Sequence, residues 1–379
     1  MEQSNLTMQN SENDSTGLGV PHTRLFIPGP TEVRPSILDA QTQWMIGHRM
    51  PECADLFATI QSKIKQLFQT RSRVYISASS GTGLQEAAVR NCVSHRVLNC
   101  VNGAFSDRWR KVSLANGKSN GVLETGWGEP ILPELVVQHL SGGDFDAITV
   151  VHIETSTGVT NPIQQIAAAV RTLPNGQDIT ILVDSVSGLS GARLEFDAWD
   201  LDVVLTSSQK AFALPPGLAF CAVSDRALQK ASTVANRGYY FDFLELEKYL
   251  LRDQTPATPA ISLLYALDRQ LDDMLAEGME ARFARHLRLR DRTISWAQER
   301  GFHLYATEGY RSPTVTCVTN NLNIDIRSLN QYLRTQGMII SNGYGSLKDK
   351  AFRIAHMGDL QDSELEELLA AIDNFIKNG

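Results

Sequence analysis

The stretch Leu205-Thr-Ser-Ser-Gln-Lys-Ala-Phe212, closing on Pro215-Pro-Gly217, sets a lysine at the end of an apolar strand, among small hydroxyl residues and ahead of a rigid turn. The β-branched run from Val203 to Thr206 reads as a buried strand. Open α/β sheets bind ligands in the crevice beyond the carboxyl ends of their strands, so Lys210 stands where a Schiff-base lysine would sit. Taken alone, a lysine at a strand end reads as a surface side chain, because lysine is rarely buried. Two other segments change that reading.

Ile179-Thr-Ile-Leu-Val-Asp184 is a second apolar strand, and it ends in a carboxylate followed by Ser185-Val186. Such an aspartate suits the nitrogen of a pyridinium ring, where a fixed negative charge keeps the ring protonated and electron-poor. A helix N-cap or turn former is the alternative for Asp184. The third segment runs Val74-Tyr-Ile-Ser77, Ala78-Ser-Ser-Gly-Thr-Gly83, Leu84-Gln-Glu-Ala-Ala-Val89: strand, small-residue turn, helix start. Glycines let backbone approach an anion, hydroxyls donate, and the free amides of a helix start carry partial positive charge, which makes Ser80, Gly81 and Thr82 a phosphate cradle. A dinucleotide fingerprint fails on spacing, since Glu86 holds the place of the third glycine, and no Walker Lys-Ser or Lys-Thr follows. Together the three segments supply the parts of a pyridoxal phosphate site.

In this order the motifs resemble the class V aminotransferases of the fold-type I pyridoxal phosphate enzymes, most of all the alanine-glyoxylate and serine-pyruvate (serine-glyoxylate) group. The resemblance is carried by Pro28-Gly-Pro30, Ser79-Ser-Gly-Thr82, Glu154-Thr-Ser-Thr-Gly158, Val183-Asp-Ser-Val186, Ser207-Ser-Gln-Lys210 with Pro215-Pro-Gly217, and Phe352-Arg-Ile354 with Met357-Gly358. It implies an α/β fold: a large domain with a mixed, mostly parallel seven-stranded sheet, and a small C-terminal α+β domain. It implies that Lys210 anchors pyridoxal 5'-phosphate and shuttles a proton, with Asp184 at the ring nitrogen. Gln209 stands where desulfurases and their relatives carry a histidine, which favours the aminotransferase branch. Ser156 is expected at the phenolic edge of the cofactor, Phe105 (after Asn102-Gly-Ala) on one face of the ring with Trp109 as the fallback, and Val186 on the other face. Arg353 matches the residue that grips the substrate α-carboxylate with a planar, two-pronged guanidinium. Gly29 falls in the segment near the substrate. His48-Arg49 is a candidate second cation at the active-site mouth, or a plain surface pair. Thr258 or Thr255, from Thr255-Pro-Ala-Thr-Pro259, is expected to reach the phosphate of a neighbouring subunit in a homodimer.

Composition agrees with this reading without revealing it. The 379 residues allow two domains with sizeable cores. The 42 acidic and 35 basic side chains are spread without blocks and leave a net charge of −7, so no basic face for nucleic acid is expected. No apolar run reaches the length of a membrane span, and residues 1–22 are polar, rich in Asn, Ser and Glu, and unlike a targeting sequence. They read as a flexible tail of a cytoplasmic chain, in which the sequons at Asn5 and Asn13 carry no meaning. The 5 cysteines, at 53, 92, 100, 221 and 317, show no metal spacing, as expected of reduced thiols.

Strands alternate with amphipathic helices from about Val74 to Val223, which assigns residues 23–260 to the large domain and 261–379 to the small one. In the latter a long helical stretch, Ser262 to Gly301, precedes strands near Thr314–Val318 and Arg353–Ala355 and a last helix, Ser363 to Ile376. Tyr239-Tyr-Phe241 and the Pro-rich stretch to Pro259 form the joint. The expected activity is transfer of an amino group between a small amino acid (alanine or serine) and a small 2-oxo acid (glyoxylate or pyruvate). An acidic or phosphonate amine donor, lyase chemistry, and a noncatalytic place in a complex are the alternatives, since fold does not settle reaction. Desulfurase chemistry needs a nucleophilic cysteine on a late loop, and none follows Cys317, where Ser341-Asn-Gly-Tyr-Gly-Ser346 stands instead.

Overall fold

The computed structural model describes residues 22–378; the tail read over residues 1–22, with its sequons, therefore lies almost wholly outside the described residues. A seven-stranded sheet holds, in spatial order, Arg73–Ser77, Ala219–Val223, Val203–Ser207, Thr180–Asp184, Ala147–Val151, Arg96–Val101 and Ser119–Glu124. Only Ala219–Val223 is antiparallel to its neighbours. The central strands read as unbroken apolar or β-branched runs because helices cover both faces: Val203–Ser207, Thr180–Asp184 and Ala147–Val151 are buried at every position.

Local chemistry sets the helices that close this sheet. Pro51–Phe68 starts on a proline, which needs no N–H partner at that position, and stops at Gln69 in the left-handed region. Its Phe57, Ile60, Ile64, Leu67 and Phe68 recur at helical spacing and are all buried, so one face docks on the sheet. Each such side chain contributes about 1.5–3 kcal/mol on burial. Gly81–Cys92 and Ala104–Ala115 lie on the opposite face, over Tyr75, Val97 and Leu205.

A second sheet of five strands runs Arg24–Phe26, Met338–Asn342, Ala351–Ala355, Val315–Thr319, His303–Leu304. Its core joins Phe26, Trp296, Phe302, Phe352 and Ile354 with Leu365, Leu368 and Ile372 of the last helix, Asp362–Asn378. Two groupings read from sequence are corrected here. Arg24–Phe26, grouped with the large domain, pairs in parallel with Met338–Asn342 in the second sheet. The helical stretch grouped with the small domain is two helices, Ile261–Glu277 and Met279–Glu299, broken at Gly278. The first packs Leu264, Leu267, Leu271 and Met274 into the core of the seven-stranded sheet; only the second adds Leu289 and Trp296 to the C-terminal core. An amphipathic pattern shows that a helix has an apolar face, not which core receives it. Among the described residues no helix is long and apolar enough to cross a membrane.

Candidate active site

Parallel strands deliver the residues that follow them to one edge of the sheet. A cavity of about 140 Å³ lies there, lined by the ends or successors of five of the strands: Ser80, Gly81 and Thr82; Phe105 and Arg108; Val151 and Thr155; Asp184, Val186 and Ser187; Ser207, Gln209 and Lys210. Ala219–Val223 runs the other way and contributes nothing to it.

The lysine loop is fixed from three sides. Ser208 donates from its hydroxyl to Pro215 O (2.7 Å), and the Ala213 N–H donates to Lys210 O (2.9 Å), curling the chain back. Thr31 clamps the loop from the N-terminal segment, its amide donating to Gln209 O (3.1 Å) and its hydroxyl to Lys210 O (2.8 Å). Gly29, at φ +128°, lies so close that a Cβ there would stand 3.0 Å from Cδ and Cε of Lys210. Its role is to let the Pro-Gly-Pro turn cover the lysine stem. Burial pulls the Lys210 amine down to about 8, reinforced by Arg353 and Arg108 and opposed by Asp184. Its Nζ lies 5.5 Å from the centroid of the Phe105 ring.

Asp184 is buried and held from both oxygens, by the Val186 N–H (2.8 Å) and by Nε2 of Gln85 (2.6 Å). Burial pushes it up to about 6, while those two donors and Lys210 favour the carboxylate. The helix Gly81–Cys92 starts from Ser80, whose side chain makes no cap, so the first amides face the cavity wall unsatisfied. A Cβ on Gly81 would fall 2.5 Å from Cγ2 of Val186, so only glycine lets the turn approach. The buried hydroxyl of Ser207 has no hydrogen-bond partner, and such a group ordinarily has one. It belongs to the same wall as the Ser80–Thr82 turn.

Arg353 rises from the middle of Ala351–Ala355 in the second sheet. It is 7 % exposed, yet it donates only to carbonyls: Asn342 O (3.2 and 3.1 Å) and Thr155 O (3.3 Å). Burial pulls its guanidinium below the ordinary arginine range, a state that an anion would relieve.

Other expected site residues fall differently. Phe105, Val186 and Gln209 line the cavity, and Trp109 packs in the interior with its indole N–H on Gln85 O (3.1 Å). Ser156 does not line it: its hydroxyl donates to Oε1 of Glu154 (2.5 Å) and accepts from the Ala104 N–H (3.1 Å), within a buried cap on the helix that carries Phe105. Thr155, one residue earlier, is on the cavity wall, bonded to the Ser187 hydroxyl (2.6 Å). His48 and Arg49 do not reach this chain's cavity. The Arg49 guanidinium is taken by Thr255 O (2.8 Å), Pro256 O (3.2 Å) and the Tyr249 ring. Thr255 and Thr258 line a separate hollow with Ala78, Tyr239 and Tyr240; the Thr255 hydroxyl donates to Ala257 O (2.7 Å), while Thr258 is exposed. Cys317 sits opposite Arg353 on the paired strand, and burial pushes its thiol up to about 12, which leaves it unreactive.

Sequence reasoning missed Gln85, Arg108, Thr155, Ser187 and Ser207. Gln85 and Arg108 could have been found by helical spacing, one turn beyond Gly81 and Phe105 respectively. Ser207 stood inside a quoted motif without a role.

The class V aminotransferase family model matches residues 38–354. The chain belongs to the class V aminotransferases. It is similar to the serine--glyoxylate aminotransferase of Arabidopsis thaliana, 32% identical over 93% of this chain and 90% of that one. A Synechococcus protein named soluble hydrogenase, small subunit, is 36% identical over 92% and 91%. The crystal structure of a Nostoc alanine--glyoxylate aminotransferase superposes with a TM-score of 0.89 at 27% identity, covering 98% of this chain and all of that one. The family's pyridoxal phosphate fits the residues present: a partnerless Ser207 hydroxyl and uncapped helix amides for a phosphate, a buried carboxylate for a ring nitrogen, and a buried lysine amine in the same cavity.

Proposed function

We propose that this aminotransferase moves an amino group from a small amino acid, alanine or serine, to a small 2-oxo acid, glyoxylate or pyruvate. One observation carries the site assignment: Lys210, Asp184 and the Ser80–Thr82 turn line a single cavity at the carboxyl ends of three strands of one sheet. When bound, pyridoxal phosphate supplies an aldehyde that bonds to amines and a ring that draws electrons from the substrate's α-carbon. Lys210 would hold that group through Nζ and, once the substrate amine has displaced its amine, would serve as the base and acid that holds and moves the proton of the substrate α-carbon. An amine pulled down to about 8 by burial is well matched to both tasks near neutral pH. Asp184, ionised above about 6, keeps a proton on the ring nitrogen.

The Ser80 and Thr82 hydroxyls, the amides after Ser80 and the Ser207 hydroxyl hold the phosphate. Phe105 and Val186 enclose the ring, and Gln209 adds a polar contact at its edge. Arg353 takes the α-carboxylate and thereby turns the amine toward Lys210. The direct test is optical: the purified protein shows a cofactor absorption band that the cofactor-free protein lacks, and borohydride fixes the label to Lys210. A Lys210→Ala protein that turns over substrate at the wild-type rate would sink the assignment. A donor screen tests the substrates: the small-donor reading fails if alanine and serine are both inert while another donor works.

The working unit is a homodimer on this reading. Trp44 (93 % exposed), Met45, Met50, Tyr239, Tyr240 and Leu251 leave large apolar side chains uncovered in the segments around Arg49 and the Thr255–Pro259 turn, a pattern suited to a second copy. Thr258 is free to meet the neighbour's phosphate. Mixing Thr258→Ala with Lys210→Ala subunits restores activity if sites are shared; no recovery despite demonstrated subunit exchange means that each site is built within one chain. The cysteines are all free and buried, which suits a reducing, cytoplasmic setting.

A further inference from the structure

We infer that Arg108 and Tyr344 form a second anion-binding position at the cavity mouth, which reads the distal carboxylate of an acidic amino acid and extends the donor range to dicarboxylic substrates. The inference rests on the aminotransferase reading above and adds a substrate class to it.

Arg108 opens the second turn of Ala104–Ala115 and lines the cavity with Lys210. Its neighbours on that helix have a carboxylate partner: Arg110 (2.6 Å) and Lys111 (2.7 Å) share Asp107. Arg108 has no carboxylate within ion-pair distance among the described residues. It is held instead by neutral groups, with its guanidinium 4.8 Å from the Phe105 centroid and Nη2 donating to the Tyr344 hydroxyl (3.0 Å). Because that hydroxyl accepts, its own proton stays available to donate. Most of the five guanidinium N–H groups are likewise uncommitted.

Tyr344 comes from the loop after Met338–Asn342 and ties this cation to the substrate-binding arginine. Its ring lies 5.6 Å from the Arg353 guanidinium, and its hydroxyl meets Arg108. The two guanidinium groups thus meet the same aromatic side chain, one over its ring and one at its hydroxyl, an arrangement suited to the two carboxylates of one diacid. The Phe105 ring, 5.2 Å from that of Tyr344, limits the freedom of both. A small donor leaves Arg108 facing water and suffers little, whereas an acidic donor gains a charge-assisted contact. Roughly a ten- to hundredfold preference follows from the usual strength of hydrogen bonds to charged groups.

The test uses pyridoxal phosphate-loaded protein and two unreactive probes of equal carbon number, succinate and butyrate, titrated calorimetrically. Succinate is expected to bind about tenfold or more tightly than butyrate, in line with one charge-assisted contact. Arg108→Gln should bring that ratio close to one, Tyr344→Phe should lower it by a smaller factor, and the aspartate-to-alanine ratio of kcat/KM should fall in parallel. Equal affinities in the wild type, or equal losses for both probes in Arg108→Gln, overturn the inference, the second because it marks Arg108 as a mere support for Phe105. The aminotransferase reading is judged separately, by whether alanine or serine converts the cofactor band. Conversion without succinate preference sinks only the second anion position.

Discussion

Arg282 and Arg353 are both buried arginines where the two sheets' domains meet, 1 % and 7 % exposed, and their surroundings are opposite. Arg282 is saturated: it donates to Glu277 (2.9 Å), to Asp359 (2.8 Å), to Ser190 O (3.1 Å) and to Ala211 O (2.9 Å), one residue past the lysine. Arg353 donates to carbonyl oxygens alone and has no carboxylate partner among the described residues. A buried charge with its counter-charges in place holds structure together; one without them stores a penalty that a ligand can relieve. Arg282 thus fastens the lysine loop to the Gly358–Leu360 segment, while Arg353, like Arg108 at the mouth, is the arginine proposed above to take an anion.

Substitution of each arginine tests the contrast most severely. Arg282→Leu strands Glu277 and Asp359 and is expected to lower stability by about 3–5 kcal/mol, read as a shift in the urea midpoint. Should it destabilise no more than Arg353→Leu, the contrast is wrong. Arg353→Leu should leave stability unchanged or slightly raised, since it removes a charge that burial disfavours. Its effect belongs to kcat/KM for every amino acid donor, with a loss of about 3 kcal/mol, or roughly 150-fold, for a two-pronged contact.

A third, smaller effect is in pH. Lys210 reacts with the cofactor as the free amine, and burial pulls it down to about 8. Cofactor capture by cofactor-free protein should therefore rise about tenfold per pH unit up to pH 8 and level off above it. A rise that continued toward the ordinary lysine range would mean that the amine is not shifted. The smallest effect concerns the phosphate wall: Ser207→Ala removes a hydroxyl that has no protein partner. Folding stability should hold while cofactor retention in dialysis weakens by about 1 kcal/mol, near fivefold. Lost stability with unchanged retention would return Ser207 to the core.

Much of the site was legible because strand ends are legible. Val203–Ser207 and Thr180–Asp184 are short apolar runs, and in a parallel sheet whatever follows such a run reaches the ligand edge, which brought Lys210, Asp184 and Ser80 together without knowledge of the packing. Ser156 shows the limit of the same logic. Within Glu154-Thr-Ser-Thr-Gly158 neighbouring side chains point to different places, and the donors at the start of Ala104–Ala115, some fifty residues earlier in the chain, drew Ser156 and Glu154 inward and left Thr155 on the wall. His48-Arg49 lies apart from this chain's cavity for a like reason, since the carbonyls of Thr255 and Pro256 hold the Arg49 cation.

By itself the sequence determined the α/β class from periodicity and, through the family its motifs resemble, the family and the cofactor, and it marked Lys210 as the candidate to bind that cofactor, because each rests on periodicity or on residues adjacent in the chain. Only the tertiary structure decided that Arg24–Phe26 joins the C-terminal sheet, that Ile261–Glu277 packs on the other one, and that Arg108 rather than Arg49 shares the cavity with Lys210. Those outcomes depend on which apolar face finds which core and on which distant acceptor reaches a charge first. Such contacts between remote parts of the chain leave no local pattern to read.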